Sequence, residues 1–280
     1  MGLSILTNTT SLNAQKNLTK SNMALSSSIS KLSSGMRINN ASDDAAGLGI
    51  SESLKAQTRS ISQASRNAND AISMSQVAEG SMNEMQGIVS RMRELSVQAA
   101  NDTLGDDERG YIQTEFGQLS AEVDRISKVT NFNGKNLLDG TASAGLTFQV
   151  GIYNTSNDRM QMAIGQLDTT TLGSSGTKIA SATLSTASGA QAAIGVFDDA
   201  IKNLSSARAN IGAVQNRLNV TVANLATSEE NLSAANSRIR DVDIASESAK
   251  MTQNQILSQA GLAVLSQANQ LPQSALSLLK

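Results

Sequence analysis

Residues 201–240 read IKNLSSARAN IGAVQNRLNV TVANLATSEE NLSAANSRIR, and within them Leu204, Ile211, Leu218, Leu225, Leu232 and Ile239 recur every seven positions. The companion positions Ile201, Arg208, Gln215, Val222, Glu229 and Asn236 are mostly polar. A narrow stripe of period 3.5 stays buried only against another helix, so the spacing predicts one member of a long helix pair. A helix over 191–238 would be roughly 70 Å long at 1.5 Å per residue. A second long helix must lie along it.

Upstream, residues 43–100 supply that partner. Ser42 or Asp43 is placed to cap it, and Asp43 with Asp44 suits the positive end of a helix. Ala71, Met74, Ala78, Ser81, Met85, Ile88, Met92, Leu95 and Ala99 follow in steps of three and four, whereas Leu54, Ile61 and Ala68 sit in another phase. The pattern predicts a seam that shifts near the middle. A first helix is expected from 11 to 34, with Leu18, Leu25, Leu32 and Ile29 on one stripe and Gly35 as its stop. After a turn at 101–105, Ile112, Phe116, Leu119, Val123 and Ile126 give 106–129 an apolar face, ended by Asn131, Asn133, Gly134 and Asn136. Phe148, Val150 and Ile152, then Met160, Met162 and Ile164, alternate about a polar turn and predict a β-hairpin. Residues 165–190 are Ser-, Thr- and Gly-rich, fit for loops or a mobile surface segment. A last helix is expected over 241–271, with Ile244, Met251, Ile256, Ala260, Ala263, Val264 and Leu271. The fold class is therefore mainly α, a long antiparallel coiled-coil or helical-bundle rod with a small β-hairpin region.

Composition narrows function by exclusion. The 280 residues hold no Cys, His or Trp, four Phe, two Tyr and one Pro, Pro272. Without Cys or His there is no thiolate nucleophile, His-bearing triad or imidazole metal site, and no arrangement argues for an enzyme, cofactor or metal. A net charge of -2 with 16% charged residues gives no field for nucleic acid. No window of 18 apolar residues predicts a membrane span. The start, Met1-Gly2-Leu3-Ser4-Ile5-Leu6-Thr7, lacks the basic and apolar parts of a cleavable leader. Residues 1–40 carry Lys16, Lys20, Lys31 and Arg37 but no acid, and residues 251–279 carry no charge. These end segments have too little apolar area to order alone, but enough to fold against copies of themselves.

Two acidic groups invite a catalytic or metal reading. Asp43 and Asp44 are neighbours at a helix start and do not face each other across a substrate, which fits capping. Asp241, Asp243 and Glu247 lack the other oxygen ligands and the glycine turn of a calcium loop, which fits an acidic first turn.

The run Leu32-Ser33-Ser34-Gly35-Met36-Arg37-Ile38-Asn39, continued by Ala41-Ser42-Asp43-Asp44-Ala45-Ala46-Gly47-Leu48, resembles the signature of bacterial flagellins. So do Arg91-Met92-Arg93-Glu94-Leu95 with Gln98-Ala99-Ala100-Asn101, then Phe132-Asn133-Gly134, Ala260-Gly261 and Gln267-Ala268-Asn269-Gln270 with Pro272. The likeness spans roughly 1–140 and 190–280. It implies a secreted structural subunit that polymerises into the flagellar filament, exported by the flagellar type III route without a cleaved signal. It further implies five segments: inner-tube helices at 1–42 and 239–280, rod helices at 43–140 and 191–238, and a short variable outward segment at 141–190 in place of outer domains. The implied partners are identical subunits, an export chaperone on the C-terminal helix, hook–filament junction and filament cap proteins, and a host innate immune receptor. Subunit packing is expected at Leu18, Leu25, Leu32, Leu204, Ile211, Leu218, Leu225, Leu232, Ile239, Ile256 and Val264. Receptor contact is implied for Arg91, Leu95 and Glu115; on the residues alone, Leu95 also reads as seam packing and Arg91 as a solvated face. A hook–filament junction protein and a secreted coiled-coil adhesin or effector are the alternatives. The unbroken Asp43-Asp44-Ala45-Ala46 run and the match from Gln267 to Pro272 favour the filament subunit.

Overall fold

A computed structural model describes residues 7–174 and 176–277, with side chains placed through Gln270. Readings that rest on residues 1–6, or on the side chains of Leu271 and Pro272, lie outside the described residues. The chain is mainly α: α1 Thr9–Ser34, α2 Ala45–Ala99, α3 Asp106–Val129, α4 Ala187–Arg240 and α5 Ile244–Ser277. Between α3 and α4 come β1 Asn131–Phe132, β2 Lys135–Asn136, β3 Leu146–Gln149 and β4 Arg159–Met162. Two compact units result, Met1–Thr58 with Glu230–Lys280 and, separately, Arg59–Glu229. Their limits fall inside α2 and α4.

In the unit Arg59–Glu229, α2 buries Ile61, Ala68, Ser75, Met82, Val89 and Ser96 at one heptad position and Ala64, Ala71, Ala78, Met85, Met92 and Ala99 at the other. The expected phase shift is absent: Ile61 and Ala68 continue into Ser75 and Met82, while Ser81 and Ile88 lie off the seam. Serine hid the pattern. The Ser75 and Ser96 hydroxyls donate to the carbonyls of Ala71 (2.7 Å) and Met92 (3.0 Å), which satisfies them without water. The facing stripe of α4 starts earlier than its leucines suggest, with Ala190, Ala193, Phe197 and Ala200 buried ahead of Leu204, Ile211 and Leu218. Flanking polar residues tie the antiparallel pair. Arg93 donates to Asp198 (2.7 Å), Arg208 to Gln86 (2.8 Å) and Gln215 to Glu79 (3.2 Å).

α3 returns along the pair, burying Ile112, Phe116 and Val123, and Phe116 meets Phe197 edge-on with centroids 5.8 Å apart. Buried Arg109 donates to the carbonyls of Ala99 (3.0 Å) and Asn101 (3.2 Å), filling acceptors left open where α2 ends. Asn133 (φ 49°) and Gly134 (φ 76°) are both left-handed, so the run that ends α3 also forms the tight β1–β2 hairpin. The second hairpin matches expectation, with Leu146 opposite Met162 and Phe148 opposite Met160. Its first strand ends at Gln149, because the amides of both Val150 and Gly151 donate to the Asp158 carbonyl and bulge the chain.

The stretch from 165 to the start of α4 at Ala187 is irregular but not a loose surface segment: Leu167, Leu172, Ile179 and Leu184 are buried. Side chains receive the backbone that regular structure leaves unpaired. Thr169 donates twice to Asp124 (2.9 Å each), the Leu184 amide donates to Gln113 (2.6 Å), and Asn203 donates to the Gly173 carbonyl (3.0 Å).

In the other unit α1 and α5 run antiparallel. Asn22 accepts from Ser258 (2.7 Å), Ser11 donates to Asn269 (2.7 Å) and Asn8 donates to the Ala268 carbonyl (2.8 Å). Gly35 ends α1 in the left-handed region (φ 70°). Beyond it the turn into α2 is clasped to the turn out of α4: the Arg37 amide donates to the Arg240 carbonyl (2.7 Å), and the Val242 amide to that of Gly35 (3.0 Å). Asp44, one residue later than expected, caps α2 by accepting from the Gly47 amide (2.8 Å). Asp43 instead accepts from the Asn39 and Asn40 amides and closes the turn.

Candidate assembly surfaces

The α1–α5 seam repeats in heptads on both helices. α1 turns inward Ser11, Ala14, Leu18, Ser21, Leu25, Ser28 and Leu32, and α5 turns inward Glu247, Met251, Asn254, Ser258, Gly261, Leu265 and Ala268. Leucines of one helix therefore rest on mostly small or polar residues of the other. At Gly261 the approach is so close that a Cβ would stand 3.3 Å from Leu18 Cδ1. Leu18, Leu25 and Leu32 remain half-buried along this seam.

Apart from Met251 and Leu265, the large apolar residues of the middle of α5 point elsewhere. Ile256 is 59% exposed and Val264 57%, and Leu257 and Leu262 are exposed beside them. Of the expected packing residues, then, Leu204, Ile211 and Leu218 are spent inside the chain, Leu225, Leu232 and Ile239 are half-buried, and Ile256 and Val264 are open in a single chain. A helix with exposed apolar residues away from the seam that it already makes gains from a further neighbour on that side.

One buried acid interrupts the seam. Glu247 accepts from the Ser28 hydroxyl (2.7 Å) and from Lys250 (3.3 Å). The Ser28 bond, assisted by Lys250, holds the carboxyl below its ordinary value against the opposing effect of burial. Arg240 pairs within the chain with Glu52, and its Nε meets Met36 Sδ at 3.1 Å.

On the α2–α3 surface, Arg91 donates to Glu115 (3.0 Å) and Glu94 (3.1 Å), which raise its pKa further above the ordinary guanidinium value. Leu95, four residues on, is 1% exposed and packs in the core. Arg91 and Glu115 thus share an open surface, while Leu95 supports it from beneath. Sequence reasoning missed the Ser28–Glu247 pair and Gly261 in this role; the seven-residue spacing of Glu247, Asn254, Gly261 and Ala268 was a signal, hidden because none of them is a large apolar residue.

Among the described residues no group of three or more His, Cys, Asp and Glu could hold a metal, and no helix is long and apolar enough to cross a membrane. Family models for the bacterial flagellin N-terminal and C-terminal helical regions match residues 5–143 and 194–279. The chain is 44% identical to flagellin FlaB2 of Treponema pallidum (strain Nichols) over 283 residues, and 44% to the flagellin of Bacillus subtilis (strain 168) over 301, with 98% of both chains covered each time. The flagellar filament 33 kDa core protein of Treponema phagedenis is also 44% identical, again over 98% of each chain. A solved structure of a putative flagellar hook-associated protein from Vibrio parahaemolyticus shares the fold, with a TM-score of 0.61, 17% identity, and 71% of this chain and 100% of that one covered. The helical pairs, their heptad seams and matches over both ends place the sequence: the chain belongs to the bacterial flagellin family.

Proposed function

We infer that this chain is a structural subunit that polymerises with identical copies into the extracellular bacterial flagellar filament, for motility. The observation that carries the reading is the α1–α5 pair, which sets leucines of α1 against mostly small and polar residues of α5 and leaves Ile256, Leu257, Leu262 and Val264 exposed. A pair built this way gains by packing against copies of itself, where each contact is modest and the sum over many neighbours is large. The inner-tube role of α1 and α5 follows from that surface. The same C-terminal helix is where an export chaperone would shield the chain before assembly, and the filament ends would meet the junction and cap proteins. Arg91 and Glu115, exposed and paired, are the proposed contacts of an innate immune receptor, with Leu95 positioning their helix. Residues 141–190, packed onto the α2–α4 unit, leave a subunit without an outer domain.

The test adds short filament seeds to full-length protein and to versions lacking 1–40 or 240–280. Long filaments from the full-length chain alone are expected. Rings or short stubs without continued growth would favour a junction protein, and an absence of seeded growth would overturn the filament reading.

A further inference from the structure

In the unit formed by Met1–Thr58 with Glu230–Lys280, Met36 sits where the turn out of α1 meets the turn out of α4. It pairs with Asp241 as an isolated antiparallel bridge, flanked by the Arg37 amide on the Arg240 carbonyl (2.7 Å) and the Val242 amide on the Gly35 carbonyl (3.0 Å). The Arg37 guanidinium adds a bond to the Ile239 carbonyl (2.6 Å). Arg240, its side chain only 15% exposed, is held by Glu52 and donates from Nε to Met36 Sδ at 3.1 Å. A thioether is a weak acceptor, so a soft contact lies at the centre of a clasp otherwise made of strong ones. Because the chain has no Cys, thioethers are its only sulfur groups. Met74, Met82, Met85, Met92, Met160 and Met162 are buried, whereas Met23, Met36 and Met251 are partly or largely open. Of these three, Met36 is the one whose sulfur takes a hydrogen bond among the described residues.

We propose that Met36 is an oxidation site, converted by hydrogen peroxide to the sulfoxide, and that the sulfoxide opens the clasp between the two turns. One peroxide oxygen bonds to sulfur as the O–O bond breaks; sulfur gives up two electrons, and the other oxygen leaves as water with both protons. Donation from Arg240 engages one lone pair of the sulfur and leaves the second for the oxidant. The product does not fit the contact it came from. An oxygen placed between sulfur and Nε needs a covalent S–O length plus about 2.8 Å of hydrogen bond, more than the 3.1 Å that separates the two atoms. Placed on any other side, it leaves a positively polarised sulfur facing a guanidinium. Either way the Arg240 side chain withdraws and pulls on the backbone carbonyl that holds the Arg37 amide. At Met23, 68% exposed and off the α1–α5 seam, the same oxidation only adds a polar atom in solvent. Since a methionine sulfoxide is returned to the thioether by its reductases, the clasp can close again.

The test treats the free full-length chain with graded hydrogen peroxide, maps sulfoxide at each methionine by peptide mass spectrometry, and follows amide hydrogen exchange at Arg37 and Val242. Because it is read on the free chain, its outcome is separate from that of seeded filament growth. Met36 is expected to convert well before the six buried methionines. Exchange at the two amides should rise about tenfold or more in step with that conversion, as a hydrogen bond to a charged donor is lost, and methionine sulfoxide reductase should restore it. Met36→Leu, with helix content as its folding control, should show no further rise on peroxide treatment, while Met23→Leu with Met251→Leu should respond as wild type does. Met36 left unconverted once Met23 is fully oxidised would overturn the proposal. So would conversion of Met36 without faster exchange, or an equal peroxide response in Met36→Leu.

Discussion

At the scale of single residues, two charged groups sit where burial is expensive, and each is held by a different kind of partner. Arg109 serves backbone: its guanidinium fills the carbonyls of Ala99 and Asn101 as α2 ends. Arg109→Ala should lower the stability of the folded chain by about 2–3 kcal/mol, since buried acceptors lose their donor, and a urea midpoint measured at constant slope would show it. Glu247 serves a seam. Its folded-state pKa is depressed, so its contribution is complete above the ordinary glutamate value and is lost as pH falls through the lower folded value. Lys250 and Lys31 are the charges that face it. With cysteine labels at Asn22 and Ser258, in a chain that has no cysteine of its own, the α1–α5 pair should separate as pH drops below the carboxylate range. Glu247→Gln, which keeps a hydrogen-bonding amide without the charge, should flatten that acid response relative to wild type. An unchanged response would place the acid sensitivity in another carboxylate.

At the scale of elements, the sequence was most legible where the seam residues are large. Leu204, Ile211 and Leu218 announced α4, and its start was underestimated only because Ala190 and Ala193 are small. α2 was read with a shift it does not have, because Ser75 and Ser96 occupy seam positions that a search for apolar side chains passes over. The α1–α5 contact was the least legible, since its α5 face is Glu247, Met251, Asn254, Ser258, Gly261, Leu265 and Ala268 while the obvious apolar residues face outward. That the loops before α4 pack into the core was missed because pairing of backbone amides with Asp124 and Gln113 leaves no local pattern. These seams should answer mutation differently. Ser75→Ala should cost under about 1 kcal/mol, as a back-bonded hydroxyl is removed with its own need for a partner, whereas Met82→Ala, one heptad along, should cost about 2–5 kcal/mol through the cavity it leaves. Gly261→Leu should part α1 from α5, because a Cβ alone already stands 3.3 Å from Leu18. Loss of proximity between labels at Asn22 and Ser258 would report it.

At the scale of the whole molecule, folding and polymerisation draw on different apolar surfaces. Leu204, Ile211 and Leu218 are consumed within one chain, whereas Ile256 and Val264 are more than half exposed in it. Burial of exposed apolar area contributes about 25 cal/mol per Å², and a subunit in a helical array receives that contribution from several neighbours at once. Polar substitution at the two sets should therefore separate the two processes. Leu218→Ser should lower the unfolding midpoint, and filaments should fail only because the subunit does. Ile256→Ser with Val264→Ser should leave helix content and the unfolding midpoint of the free chain within error of wild type, yet raise the concentration needed for seeded growth by about tenfold or more, given how each kcal/mol lost per subunit multiplies in the assembly equilibrium. Wild-type growth by that double variant would move subunit packing off α5 and onto the surfaces of the unit Arg59–Glu229.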